Sequence, residues 1–267
     1  MAKELGQPVD GADSRKADAL RNAINRHFWS PGRGTYGFLV DDAGRDERQE
    51  GLGIAFAILF GVADAEQARQ VLGHFHTTPH GITCLWPQYE RYQTGPGAFS
   101  RHAGTIWPQV NAYWCEALAR SGRHAEAWRE MRVLSERVWR DSHFAEIYHP
   151  ETGEIYGGLQ EDTKAKGIRL WRSLPRQTWC ATGYVRMWLR VVFGMDFRKD
   201  GIAFRPWLPE ELTHGELTGL HYRRARLSLR VEGHGALKRF CLDGRDLPEP
   251  VLPDTLEGDH SVTVALG

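Results

Sequence analysis

The sequence predicts a mainly α protein that ends in a small antiparallel β-sandwich. Three observations carry that expectation. Apolar residues recur at helical spacing as far as Phe193, long aromatic stretches interrupt the spacing before alternate helices, and after Asp200 the period drops to two while Pro and Gly rise. The change near residues 196–201 divides the chain into a helical domain, residues 1–198, and a C-terminal β domain, residues 199–267.

Ala17, Leu20, Ile24 and Phe28 mark a first helix behind a cap at Asp13 or Ser14. A Gly-rich turn follows, with room for a short strand at Tyr36–Val40. A second helix starts near Arg48, runs through GLGIAFAILFG and stops at Gly61; a third, capped by Asp64, reaches His74. A long aromatic loop covers residues 76–104. The next helix has Pro108 in its first turn, Gly122 at its end, and an apolar stripe of Ile106, Val110, Tyr113 and Leu118. Another runs from His124 to Arg140 with Trp128, Met131, Leu134 and Val138 inward. A second long loop covers residues 141–177, and the last helix runs from Thr178 to Phe193. The helices thus come in pairs, and loops of this length within a domain are usually functional. In the C-terminal part Ala225, Leu227, Leu229 and Val231 alternate with polar residues, and ALKRFCLDG and HSVTVALG read as further strands joined by turns such as Asp243-Gly244.

Of the 267 residues 41% are hydrophobic and 25% charged, an ordinary balance for a soluble globular protein. Lys plus Arg and Asp plus Glu both number 34, so there is no basic excess of the kind a nucleic-acid surface needs. No apolar run reaches the length of a membrane span, and the N-terminus MAKELGQPVDGADSRK is too polar for a signal peptide, so a cytoplasmic location is expected. Cys84, Cys115, Cys180 and Cys241 stand singly, away from metal-ligand spacing, and read as reduced, buried thiols. No cofactor is expected. The aromatic count is high, with 10 Trp, 8 Tyr and 11 Phe, which suits either a core or the stacking faces of a sugar site.

The order of four segments resembles the six-hairpin glycosidases, the group of processing α-glucosidases, trehalases and mannosylglycerate hydrolases. GTIWPQVNAYWCEALARSG is similar to their G-x-(I/V)-W-P helix. FAEIYHPETGEIYGG is similar to their (Y/F)-x-E-x-Y-(N/D)-P-x-T-G-E loop, and QTWCATGYVRMWLRVVFG to the helix after it. The region from GIAFRPWLPEEL to the C-terminus resembles the β-sandwich that follows many α/α-barrel enzymes. The resemblance extends from about Phe28 onward. It implies a partial α/α toroid of paired helices and an inverting hydrolysis of an α-linked glycoside or oligosaccharide.

Glycoside hydrolysis needs two carboxyl groups across the scissile bond. By resemblance Glu146 is the general base; as a residue alone it is also an ordinary loop Glu. Glu154 reads as a residue that holds its turn, and Glu151 as its neighbour. Trp107, beside Arg101 and His102, is either a sugar-facing wall or a core tryptophan at a helix start. Trp86 and Tyr89 offer a second stacking surface. Tyr148 flanks the base, Trp179 lines the pocket floor by resemblance or packs in the core, and Gln177, like Gln160, can bind hydroxyls. Glu50 either binds a sugar hydroxyl or complements a helix dipole. Asp41, Asp42 and Asp46 read as surface turn residues.

The resembled enzymes close a ring of twice as many helices, and their general acid is an Asp in the first half of that ring. No G-x-D-x-(S/T) segment that would supply it stands in this sequence. The chain therefore reads as a C-terminal fragment lacking the acid, inactive by itself, whose uncovered apolar face calls for a missing N-terminal half or a homodimer. The competing reading is a non-catalytic carbohydrate-binding or assembly module. A further one, a sugar epimerase, would use His102 and His149 as a pair.

Overall fold

The computed structural model describes residues 11–267. The polar N-terminal residues 1–10, which carry most of the signal-peptide argument, lie outside that range. The described chain forms two units, residues 11–185 and 186–267.

The first unit opens with α1 (Gly11–Phe28), β1 (Trp29–Ser30), β2 (Thr35–Tyr36), β3 (Leu39–Asp41), β4 (Gly44–Asp46) and β5 (Gln49–Glu50). Then come α2 (Gly51–Leu59), α3 (Ala65–His74), β6 (Leu85–Trp86), α4 (Pro108–Arg120), α5 (His124–Asp141), β7 (Leu159–Asp162), β8 (Gly167–Leu170) and α6 (Thr178–Met187). Their ends follow from local chemistry. Asp64 and Gln67 form a reciprocal capping box that starts α3. Pro108 occupies the first turn of α4, where its missing N–H costs nothing. Ser142 turns left-handed to end α5.

Helix α4 is the central element. Trp114, Cys115, Ala117 and Leu118 on it are fully buried. Tyr113 meets Phe56 of α2 edge-on at 4.9 Å. On the other side, Gln109 accepts a bond from Cys180 of α6, and α6 is tied to α5 by Tyr184 and Ser135, 2.9 Å apart. Two charged residues of α5 are buried as well. Glu130 accepts from Asn111 at 2.6 Å, from the Ile82 amide at 3.1 Å and from Thr77 at 3.0 Å. Burial pushes its carboxyl above the usual range against those bonds. Arg137 donates to the His80 carbonyl and lies over the Tyr148 ring at 4.5 Å, and burial lowers its guanidinium to about 10. The four cysteines are free and buried.

In the second unit a π-helical turn (Trp188–Val192) leads into β9 (Met195–Arg198), β10 (Gly201–Phe204), β11 (His214–Tyr222), β12 (Arg224–Glu232), β13 (Leu237–Leu242), β14 (Arg245–Asp246), β15 (Val251–Pro253) and β16 (Glu257–Leu266). Two sheets form, in the orders β15-β10-β9 and β11-β12-β16-β13-β14. Burial alternates strictly along β12: Ala225, Leu227, Leu229 and Val231 face in. Phe204 of one sheet meets Phe240 of the other at 5.1 Å.

The expectation of a mainly α protein with an antiparallel β-sandwich is corrected by these elements. Helix accounts for 33% and strand for 29% of the described residues. The loops before α2, α4 and α6 hold short hairpins, β1-β2, β3-β4 and β7-β8, and the β5-β6 pair. The larger C-terminal sheet is mixed, because β12 and β16 run parallel from Arg224↔Glu257 to Glu232↔Ala265.

Candidate active site

The segments that precede α2, α4 and α6 are joined into one floor by backbone bonds. Glu50 pairs with Leu85 across β5 and β6, and the Gly51 amide donates to the Cys84 carbonyl at 2.7 Å. The Gly104 amide donates to Leu85 at 2.6 Å and that of Cys84 to Thr105 at 2.9 Å. Ile106 and Tyr148 exchange two bonds, at 3.0 and 2.9 Å. The Glu146 amide donates to Leu174 at 2.9 Å, and that of Gln177 to Phe144 at 2.9 Å.

Glu146 lies on this floor, 4% exposed. Its Oε2 accepts from Arg101 Nη2 at 2.5 Å and from the Leu174 amide at 3.2 Å. Oε1 takes no hydrogen bond among the described residues. Arg101 is itself held from several directions. Its Nη1 donates to the carbonyls of Gly157 at 2.8 Å and Arg172 at 3.3 Å, and its amide donates to Leu159. Its carbonyl accepts from Trp107 Nε1 at 2.9 Å and from the Thr105 hydroxyl at 2.7 Å. Gly157 permits the close passage: a Cβ there would stand 1.6 Å from the Trp171 carbonyl oxygen.

Trp107 is the buried N-cap residue of α4. His102 stacks on it at 5.2 Å, and Trp179, 48% exposed, tilts towards it at 6.3 Å. Loss of water on the stacked face lowers the His102 pKa, Arg101 lowers it further, and Glu146 opposes both. Burial lifts the Cys180 thiol, beneath the Glu146 carbonyl, to about 12. Gln177 joins this group through its backbone.

A second group surrounds the start of α2. Glu50 caps that helix, accepting from the amides of Leu52 and Gly53, and burial raises its pKa against those bonds. Trp86 stacks on His76 at 4.0 Å, nearly parallel. Tyr89 lies beneath the Arg48 guanidinium at 4.3 Å.

Tyr148 belongs to neither surface. It is fully buried, and its hydroxyl accepts from the Ala145 amide at 3.2 Å. His149 is committed to its turn: Nδ1 accepts from the amides of Glu151 and Thr152, and Nε2 contacts the Gly97 carbonyl. Glu154 pairs with Arg140 at 3.0 Å, mostly in solvent. Sequence reasoning placed Arg101 only as a neighbour of Trp107, and it passed over Arg48 and His76. No spacing rule singles them out, because each partner lies on a distant segment. Among the described residues no group of three or more His, Cys, Asp or Glu could hold a metal ion, and no helix is long and apolar enough to cross a membrane.

A buried carboxylate held by an arginine, beside an indole wall and a half-exposed tryptophan, can bind a sugar ring and present one oxygen to a water or hydroxyl. The comparisons with known proteins give a family. Residues 1–173 match the "Mannosylglycerate hydrolase MGH1-like glycoside hydrolase domain", and residues 195–239 match the "Glycosyl hydrolase family 65, C-terminal domain". No curated protein matches the chain in sequence. Among solved structures a sialidase is similar with a TM-score of 0.59 at 15% identity, over 78% of this chain and 19% of that one. An uncharacterized conserved protein from Thermus thermophilus follows at 0.49 and 15%, over 70% of this chain and 41% of that one. Neutral trehalase Nth1 from Saccharomyces cerevisiae stands at 0.45 and 14%, over 65% and 30%. At 15% identity the likeness to the sialidase is one of fold, and the chain spans 19% of the length of that protein.

Proposed function

The chain belongs to the mannosylglycerate hydrolase MGH1-like glycoside hydrolase domain family, and from that premise we propose that it is the base-bearing part of an inverting hydrolase of α-linked glycosides, with Glu146 as the general base. The observation that carries this is the geometry of Glu146. Arg101 and the Leu174 amide both bind Oε2, which leaves Oε1 to take a proton from water. Trp107, His102 and Trp179 supply the wall against which the sugar would lie, and the Gln177 amide is bonded to Phe144, two residues before the base. Trp86 and Tyr89, with Glu50 behind them, form a second aromatic face for a further sugar unit.

Inversion needs a second carboxyl group roughly 6.5–9.5 Å from the first, leaving room for the water. Glu50 is engaged as a helix cap, so in this reading the acid comes from a segment outside this sequence or from a second copy of the chain. The test is a hydrolysis screen on α-glucosides, α-mannosides and trehalose, followed by NMR of the anomeric product. Turnover that disappears in Glu146→Gln supports the assignment, and turnover that survives the substitution removes it. The second reading, a carbohydrate-binding module without turnover, is favoured by the same ion pair, which restrains Glu146. Sugar binding with no hydrolysis, even in a preparation that also supplies the acid-bearing segment, would select it.

A further inference from the structure

We propose that the cavity beside the β7-β8 hairpin is a subsite for an acidic sugar ring, a uronate, with Trp171 as its stacking face and Arg172 as the clamp for its carboxylate. The proposal rests on the glycosidase reading above and names a substrate class for it.

The cavity has a volume of about 530 Å³, within the usual range for small-ligand sites. His143, Tyr156, Leu170, Trp171, Arg172 and Pro175 line it. Trp171 is 44% exposed and Leu170 62%, a large apolar surface to leave in water on a short hairpin. The face of an indole that lines a cavity suits the C–H face of a pyranose. The charge is equally uneven. Residues 163–176, TKAKGIRLWRSLPR, carry Lys164, Lys166, Arg169, Arg172 and Arg176 and no acid, in a chain whose net charge is zero. Arg169 lies 3.5 Å from Asp162, whereas Arg172 makes no ion pair among the described residues. Of these cations Arg172 is the one that lines the cavity, and its guanidinium fork matches a carboxylate in two parallel bonds.

The cavity is also tied to the catalytic floor. The Gly157 and Arg172 carbonyls hold Arg101, the partner of Glu146. The Ser173 hydroxyl accepts from the Ile147 amide and donates to its carbonyl, next to Glu146. A ring bound against Trp171 would therefore sit beside the scissile position, as a neighbouring unit of the same oligosaccharide.

The test is calorimetric binding of trigalacturonate and of its methyl ester, which keeps the rings and removes the charge, to the full 267-residue chain. The acid form should bind at least about tenfold tighter than the ester, and added salt should shrink that difference. Arg172→Gln should abolish the discrimination, and Trp171→Ala should weaken both ligands by about tenfold; both side chains are exposed, and circular dichroism checks the fold. Equal affinity for acid and ester, no binding of either, or discrimination retained in Arg172→Gln overturns the proposal. So does Arg172-dependent binding to phosphatidylserine vesicles without binding of the uronate, which would assign the hairpin to a membrane surface. Glu146→Gln separates this site from the hydrolase reading, because it should abolish any turnover and leave uronate binding intact. Arg172-dependent uronate binding together with turnover that survives Glu146→Gln keeps the subsite and removes Glu146 as the base, and turnover lost in Glu146→Gln without uronate binding by the unsubstituted chain does the reverse.

Discussion

Arg101 and Glu146 form an ion pair, Nη2 to Oε2 at 2.5 Å, with side chains only 12% and 5% exposed. Taking either away leaves an uncompensated charge in a poorly hydrated place. Arg101→Ala should therefore lower stability by about 3–5 kcal/mol, read by urea denaturation of the first unit. Arg101→Lys should cost less, because the charge remains, yet the bonds to Gly157 and Arg172 would not both be rebuilt.

Glu146→Gln keeps the shape of the base and removes its basicity. In any preparation that hydrolyses an α-glycoside, the substitution should reduce kcat by about 10²–10⁴-fold. Substrate affinity, measured by direct titration, should change far less.

Gly157→Ala puts a methyl group onto the Trp171 carbonyl oxygen, and all three contacts at risk are backbone. No rotamer change relieves that clash. The expected result is a displaced β7-β8 hairpin and a loss of roughly 3 kcal/mol or more, beyond the common range for point substitutions. A drop in melting temperature together with altered Trp fluorescence would report it.

Glu130→Ala strands three donors, on Asn111, Ile82 and Thr77. A loss of about 3 kcal/mol or more is expected, with Glu130→Gln milder. The pH dependence has a definite sign. Burial raises the Glu130 pKa in the folded chain, so as pH falls through that range the folded state takes up the proton first. This group alone then favours folding more at lower pH, and Glu130→Gln should flatten that component of the stability–pH curve.

His260 and Asp243 join the start of β16 to the β13-β14 turn at 2.7 Å. The bond to Asp243 raises the His260 pKa, and the same bond lowers that of Asp243. The histidine contribution is therefore fully present below its unfolded pKa and is lost as pH rises through its folded one. The aspartate contribution is lost as pH falls through its own depressed pKa. Thermal unfolding should show a shallow maximum in mildly acid solution, about a degree or two in size for a solvent-facing pair. His260→Gln should remove the decline on the alkaline side.

Much of the helical framework was legible because each end is written locally. Asp64, Pro108 and Gly122 announce their helices by side-chain chemistry alone, and Ala225 to Val231 announce β12 by period. The short strands were not legible. A pair such as Gln49–Glu50 with Leu85–Trp86 is too brief to show alternation, which is why the strand content of the loops exceeded expectation. Nor does alternation reveal the direction of a partner, so the parallel pairing of β12 and β16 was hidden. Glu146 stood out only through its resemblance motif. Arg101 did not, since nothing in the sequence records that two residues 45 positions apart will meet. α1 shows the opposite failure: its apolar spacing is helical, yet none of its residues is buried.

The floor beneath Glu146 consists of segments near positions 50, 85, 105, 147 and 173, most joined by only one or two backbone bonds. None of these rungs closes a local loop of the kind that forms early in folding. Each becomes worthwhile only when its neighbours are already in place. Contact separation therefore predicts that the Arg101–Glu146 pair, 45 positions apart, forms after the local Arg101–Trp107 contacts. A chain held partly open would be expected to keep the wall around Trp107 and lose the restraint on the carboxylate.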